Sequence, residues 1–168
     1  MQTIKFTEME SPVGIITLVA TENGLCQLLF GDYRETNVKI RAWMAKRNIR
    51  GELQHDDDYF FDVREQLQEY FQGERQAFNL PIDIHGTSFQ KHVWEALRHI
   101  PYGETQSYKQ VATTLRAPKA VRAVGNANNQ NPLPIIIPCH RVIGSNGAFV
   151  GYGGGIEKKK KLLALEGA

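Results

Sequence analysis

Cysteine is nearly absent from this chain: 168 residues contain only Cys26 and Cys139. Two thiols cannot make the disulfide framework that holds small secreted domains together. The start, Met1-Gln2-Thr3-Ile4-Lys5, lacks the apolar run of a secretion signal, and no stretch is apolar for long enough to span a bilayer. The expected setting is the reducing cytoplasm, with no membrane partner. A hydrophobic content of 42% is enough to pack a core, as one domain or as two small ones.

Net charge is also scarce, at +2, but its distribution is uneven. Residues 1–84 carry 9 Lys and Arg against 14 Asp and Glu, a net −5, whereas residues 85–168 carry 11 against 4, a net +7. A polyanion would therefore bind the second half. The run Lys158-Lys159-Lys160-Lys161 is read mainly as solvated surface lysine.

In the acidic half, β-rich runs at Ile4 to Thr7, Gly14 to Thr21 and Leu25 to Phe30 are separated by Ser11-Pro12 and Asn23-Gly24, which suggests a small antiparallel sheet. Cys26 falls in one of these runs and reads as strand core. Phe60, Val63, Leu67 and Tyr70-Phe71 recur at helical spacing between Asp56 and Gly73, so a helix packed on the sheet is expected, with its aromatic stripe in the core. Phe78 to His85, interrupted by Pro81, reads as a linker.

The basic half is mainly helical. Thr87 with Gln90, and Ser107 with Gln110, form capping boxes ahead of apolar runs, and Pro118 is placed to open a third helix through Val121 and Val124. Short helices joined by a tight connection suit a helix-turn-helix. At 100° per residue, Val121 and Val124 share one side while Arg122, Ala123 and Asn126 point away. Such a small-residue face fits either close approach to a nucleic-acid groove or packing against a neighbour.

The most chemically loaded stretch is Ile135-Ile136-Ile137-Pro138-Cys139-His140-Arg141-Val142-Ile143. A lone cysteine in apolar surroundings is usually a small core hydrophobe. His and Arg are poor company for an inert thiol, because both need polar partners, while a thiolate nucleophile needs such groups to fall below its ordinary pKa of about 8.5. Pro138 biases Ile137 toward an extended conformation, so Cys139 is expected to emerge rigidly from the end of a short buried strand.

From Pro101 to Gly167 the chain resembles the O6-alkylguanine-DNA alkyltransferase family. The resemblance rests on elements in the family's order: Pro101-Tyr102-Gly103-Glu104, Ser107-Tyr108, Lys119 to Gly125, Asn131-Pro132, Pro138-Cys139-His140-Arg141-Val142, Gly151-Tyr152-Gly153-Gly154, and Leu162 to Gly167. It implies an α+β protein in two domains. Residues 1–84 would be an N-terminal α/β structural domain, and residues 85–168 a winged-helix-like domain for DNA binding and alkyl transfer. It further implies direct repair of duplex DNA containing O6-alkylguanine, by irreversible transfer of the alkyl group to Cys139, once per molecule. O4-alkylthymine is a further candidate substrate.

The resemblance also assigns roles. Cys139 would be the nucleophile, with His140 acting through a water as its base and Glu166 orienting His140. Tyr108 would protonate N3 of the extruded guanine, and Asn131 would support the cysteine loop. Arg122, with Ala123 and Asn126 beside it, would enter the minor groove and help flip the nucleotide. Pro134, Tyr152 and Gly153 would line the alkyl pocket, and Arg141 would link the site to nearby backbone. A monomer without cofactor is expected. Some relatives hold zinc in the N-terminal domain, but here Cys26, His55 and His85 are too dispersed, so no metal is expected. Two other classes compete: a cysteine hydrolase using Cys139 and His140, and a DNA-binding module without catalysis. No hydrolase signature supports the first, and the reactive-site cysteine argues against the second.

Overall fold

A computed structural model describes residues 2–147 and 152–168, and its backbone divides into two compact units, Met1–His85 and Gly86–Ala168. In the first, β1 (Gln2–Met9), β2 (Ile16–Thr21) and β3 (Gly24–Phe30) make an antiparallel meander, and β4 (Gly51–His55) pairs with β1 in parallel. The order is β3-β2-β1-β4, so the sheet is mixed and not wholly antiparallel as expected. The cause is α1 (Tyr33–Lys46), which carries the chain from the β3 edge to the opposite edge. Asp32 and Glu35 cap α1 reciprocally. Ile40 and Met44 then join Ile4, Phe6, Val19, Cys26 and Ile49 in one buried cluster.

Cys26 is core, as its strand position suggests. Burial above all pushes its thiol up to about 12, which leaves it inert at neutral pH. The helix expected after Asp56 starts with a 3-10 turn (Asp58–Phe60) and continues as α2 (Phe61–Phe71). Its aromatic stripe is core on one side only. Phe60 and Tyr70 are fully buried, whereas Tyr59 and Phe61 are 46% and 66% exposed because they project from the other side of the turn. The expected linker is also anchored: Leu25 donates to Pro81 O at 3.0 Å and accepts from Asp83 N at 2.8 Å, which adds Ile82 to the sheet edge. Gly24, at φ +140, permits this approach, since a Cβ there would lie 2.6 Å from Pro81 O.

The second unit contains α3 (Ser88–Arg98), α4 (Tyr108–Thr114), α5 (Val121–Asn129) and α6 (Ile156–Leu165), with a short parallel pair, β5 (Gln106–Ser107) and β6 (Val142–Ile143). The molecule is thus α+β. Both expected capping boxes form, at Thr87/Gln90 and at Ser107/Gln110. Helices α3, α4 and α5 pack together, and buried Trp94 donates Nε1 to Ala127 O at 2.8 Å, tying α3 to α5. Pro118 does not open the third helix. Arg116 takes φ +58 to end α4, Pro118 falls in the following turn, and α5 begins at Val121. Among the described residues, no helix is long and apolar enough to cross a membrane.

Candidate active site

Cys139 does not leave a strand. Pro132 and Pro134 remove two backbone donors, and Ile135 takes φ +76, so the chain turns back on itself. A bridge pairs half-buried Pro134 with Ile137, and Ile137 N donates to Leu133 O at 2.8 Å. Asn131 holds this turn from inside, its Nδ2 donating to Ile137 O at 2.8 Å and its Oδ1 accepting from Leu133 N at 3.0 Å. Cys139 then opens a 3-10 turn, Cys139–Arg141, whose three side chains are all buried.

The turn delivers His140 and Arg141 to one carboxylate. Glu166 ends α6, accepting from His140 Nε2 at 2.7 Å and from Arg141 Nε and Nη2 at 2.8 and 3.1 Å. Arg141 also donates Nη1 to Ile100 O at 2.7 Å, which ties the turn to the chain just after α3. Burial, the main cause, holds His140 below its ordinary pKa against the favourable pull of Glu166. His140 is thus neutral near pH 7. With Nε2–H directed at Glu166, Nδ1 carries the free lone pair, and this atom is buried with no hydrogen-bond partner among the described residues.

The thiol itself departs from expectation. Burial pushes Cys139 up to about 11, opposed by a hydrogen bond from Asn131 and by the charge of Lys159. The nearby cation is therefore Lys159, not Arg141. Lys159 is fully buried, donates Nζ to Val142 O at 2.5 Å, and is pushed down to about 8 by burial. Reading most of the four lysines as solvated surface fits exposed Lys160 and Lys161 but did not single out Lys159. The signal was present, since Lys159, Leu162, Leu163 and Glu166 fall at i, i+3, i+4 and i+7, the buried stripe of α6.

Tyr108 opens α4, half-buried, and feels the charge of Cys139. Burial first, then that charge, raise its phenol pKa, while a hydrogen bond with Asn128 lowers it. Asn128 was also missed, although it shares the inner stripe of α5 with Val124 and Ala127. Cys139, His140, Glu166, Asn131 and Tyr108 are thus brought together, with Pro134 in the same turn. Arg122, Ala123 and Asn126 instead lie on the exposed face of α5, as does Val121, which was expected to face inward with Val124. Tyr152 is buried, and a Cβ on exposed Gly153 would lie 3.8 Å from Asn129 O, so this loop meets the end of α5. Gly151 of the same motif lies outside the described residues. The arrangement can hold a protonated thiol beside a neutral imidazole, an ammonium and a phenol.

Two family models match the chain: the 6-O-methylguanine DNA methyltransferase DNA binding domain over residues 88–168, and the ribonuclease-like domain of the same family over residues 4–84. Among curated relatives, a methylated-DNA–protein-cysteine methyltransferase of Methanosarcina acetivorans is 43% identical over 159 residues, 95% of this chain and 96% of the relative. A constitutive one of Bacillus subtilis is 41% identical over 163 residues, 96% and 94% of the two chains. Among solved structures, Mycobacterium tuberculosis OGT in complex with DNA matches with TM-score 0.82 and 41% identity, over 98% of this chain and 92% of that one. The O6-methylguanine-DNA methyltransferase of Pyrococcus kodakaraensis matches with TM-score 0.76 and 28% identity, over 98% and 99%.

Proposed function

The chain belongs to the 6-O-methylguanine DNA methyltransferase family, and from that premise we propose that it repairs duplex DNA directly, as a methylated-DNA–protein-cysteine methyltransferase in which Cys139 takes the alkyl group from O6 of guanine. The observation that carries this reading is the buried cluster in which Cys139 sits among a neutral His140, Lys159 and Tyr108.

An alkyl carbon on a base inside a duplex is out of reach of a buried thiol, so the nucleotide is flipped into the site, at a cost of a few kcal/mol. The exposed face of α5 suits the minor groove, with Arg122 filling the gap left in the stack. His140 Nδ1 takes the thiol proton through a water, and Glu166 stabilises the imidazolium that results. Lys159 offsets the growing charge on sulfur. With a thiol pKa of about 11, ionisation near pH 7.5 costs about 5 kcal/mol, so the proton leaves only when an acceptor is in place. The S–C bond forms as the C–O6 bond breaks, and the departing guanine is neutralised by a proton from Tyr108 to N3. Asn131 keeps the nucleophile's turn in shape, while Pro134, Tyr152 and Gly153 shape the alkyl pocket. A thioether is not reversed by thiol exchange, so each molecule acts once, with no cofactor, as a monomer in the cytoplasm. O4-alkylthymine presents the same kind of alkyl carbon and is a second substrate.

The test is intact mass and peptide mapping after incubation with excess O6-methylguanine duplex. One methyl per protein, on Cys139 and not on Cys26, followed by a flat trace that added thiol does not restart, is expected. Turnover beyond one equivalent, as a cysteine hydrolase would give, or binding without transfer, would overturn the proposal.

A further inference from the structure

Asn128 is a buried amide that the packing of α5 does not explain. It is 2% exposed on the inner stripe of the helix, where an apolar side chain would need no hydrogen-bond partners. Its partners are two groups of the candidate site. Nδ2 donates to the main-chain carbonyl of Cys139 at 3.4 Å, and the side chain hydrogen-bonds with the Tyr108 hydroxyl. Oδ1 is buried with no hydrogen-bond partner among the described residues, which makes Asn a poor choice for stability alone. The backbone arranges this reach. A Cβ on Gly125 would lie 3.9 and 4.0 Å from Cδ1 and Cε1 of Tyr108, so the phenol ring rests against that residue. Asn128 follows on the same helical face three residues later.

We propose that Asn128 is a positioning residue for alkyl transfer: anchored on the Cys139 main chain, whose turn Asn131 already holds, it fixes the Tyr108 hydroxyl so that the phenol proton faces guanine N3. This rests on Tyr108 being the proton donor. An amide N–H on the phenol oxygen occupies a lone pair, leaves the O–H free to aim at the base, and stabilises the phenolate that forms as the proton moves. The proton passes from Tyr108 to N3 as the C–O6 bond breaks and the S–C bond forms. Asn128 exchanges no atom.

The experiment measures single-turnover transfer at saturating duplex carrying either O6-methylguanine or its 3-deaza analogue, which has no N3 to protonate. Asn128→Ala and the near-isosteric Asn128→Leu should slow transfer from O6-methylguanine about tenfold, the scale of one hydrogen bond at a reacting group. Both should leave the 3-deaza rate at the unsubstituted protein's level, which also reports an intact fold. Neither should cost anything further when combined with Tyr108→Phe. Equal slowing with both substrates, or additive losses with Tyr108→Phe, would overturn the role of Asn128. So would a Tyr108→Phe protein that is slow beside Asn128 variants that are not. If Tyr108→Phe alone matches the unsubstituted protein on O6-methylguanine, the proton-donor reading fails and the Asn128 proposal falls with it.

Discussion

Replacing Glu166 by Gln removes the negative charge from a site that buries two of its nitrogen partners. The Glu166 and His140 side chains are fully buried and that of Arg141 is 8% exposed, with all three contacts to the carboxylate between 2.7 and 3.1 Å. An exposed ion pair is worth about 0–1 kcal/mol, but breaking a buried one leaves an uncompensated charge and costs about 3–5 kcal/mol. After the substitution the partners of Arg141 among the described residues are Ile100 O at 2.7 Å, the Tyr102 ring at 5.7 Å and the new amide, none of them formally charged. The larger cost applies. Against a total of about 5–15 kcal/mol for a domain, it removes about a fifth or more of the stability.

Urea unfolding near neutral pH, followed through buried Trp94, measures the loss. The double variant Arg141→Met/Glu166→Leu removes both charges and should be more stable than Glu166→Gln alone. His140 adds a pH signature. Burial holds its folded pKa below the ordinary value of 6.5, so it must take up a proton on unfolding in acid. Its contribution is present above about pH 6.5 and is lost as pH falls toward the folded pKa. Glu166 is the partner that favours imidazolium, so Glu166→Gln should deepen that acid loss. A loss under about 1 kcal/mol near neutral pH would refute the buried-charge reasoning, and a double variant weaker than the single one would refute its cause.

Cys139→Ala should keep binding to O6-methylguanine duplex, measured by gel shift, and remove no methyl group; any measurable removal would take the nucleophile's role from this residue. Lys159→Met withdraws the cation that lowers the Cys139 pKa, and because Lys159 is itself pushed down to about 8, the single-turnover rate should fall below about pH 8, by about tenfold per pKa unit, and match that of the unsubstituted protein at higher pH, where the lysine is already neutral. An unchanged pH profile would show that the ammonium does not act on sulfur. Arg122→Ala should slow transfer from duplex more than from free O6-benzylguanine, since only the duplex requires extrusion, and equal slowing would place the damage in the chemical site.

Local signals survived folding where they were strong. The capping boxes at Thr87 and Ser107 are satisfied within their own four residues, so they could be read directly. The box at Asp32 and Glu35 has the same form, but α1 buries only Thr36, Ile40 and Met44, and so weak an apolar stripe hid the helix and with it the parallel β4. The Cys139 turn misled for a different reason. Three isoleucines after a proline look like a strand, and the positive φ of Ile135 that breaks it is imposed by the Asn131 and Leu133 contacts of the folded turn. Lys159 and Asn128 were hidden by residue type. Each sits at an apolar position of its helix, where a polar side chain is retained by partners distant in sequence: Val142 O and Cys139 for the lysine, Tyr108 and Cys139 for the amide.

Burial gives the thiol two properties that oppose each other in a solvated cysteine. A pKa near 11 keeps sulfur protonated and poorly reactive toward cellular oxidants and electrophiles. On the proposed reading, in which the residue is used once, that matters. The same low-dielectric surroundings strengthen every charge and hydrogen bond aimed at it, so Lys159, Asn131 and a neutral His140 act more strongly than they would in water. An exposed thiol beside the same groups would ionise at rest and be spent on the wrong partner. In the proposed mechanism the proton need only leave when an extruded base brings an alkyl carbon to the sulfur, with the Glu166–His140 pair as its acceptor. Selectivity for the lesion then follows from where the thiolate can form, and not from a thiolate held ready.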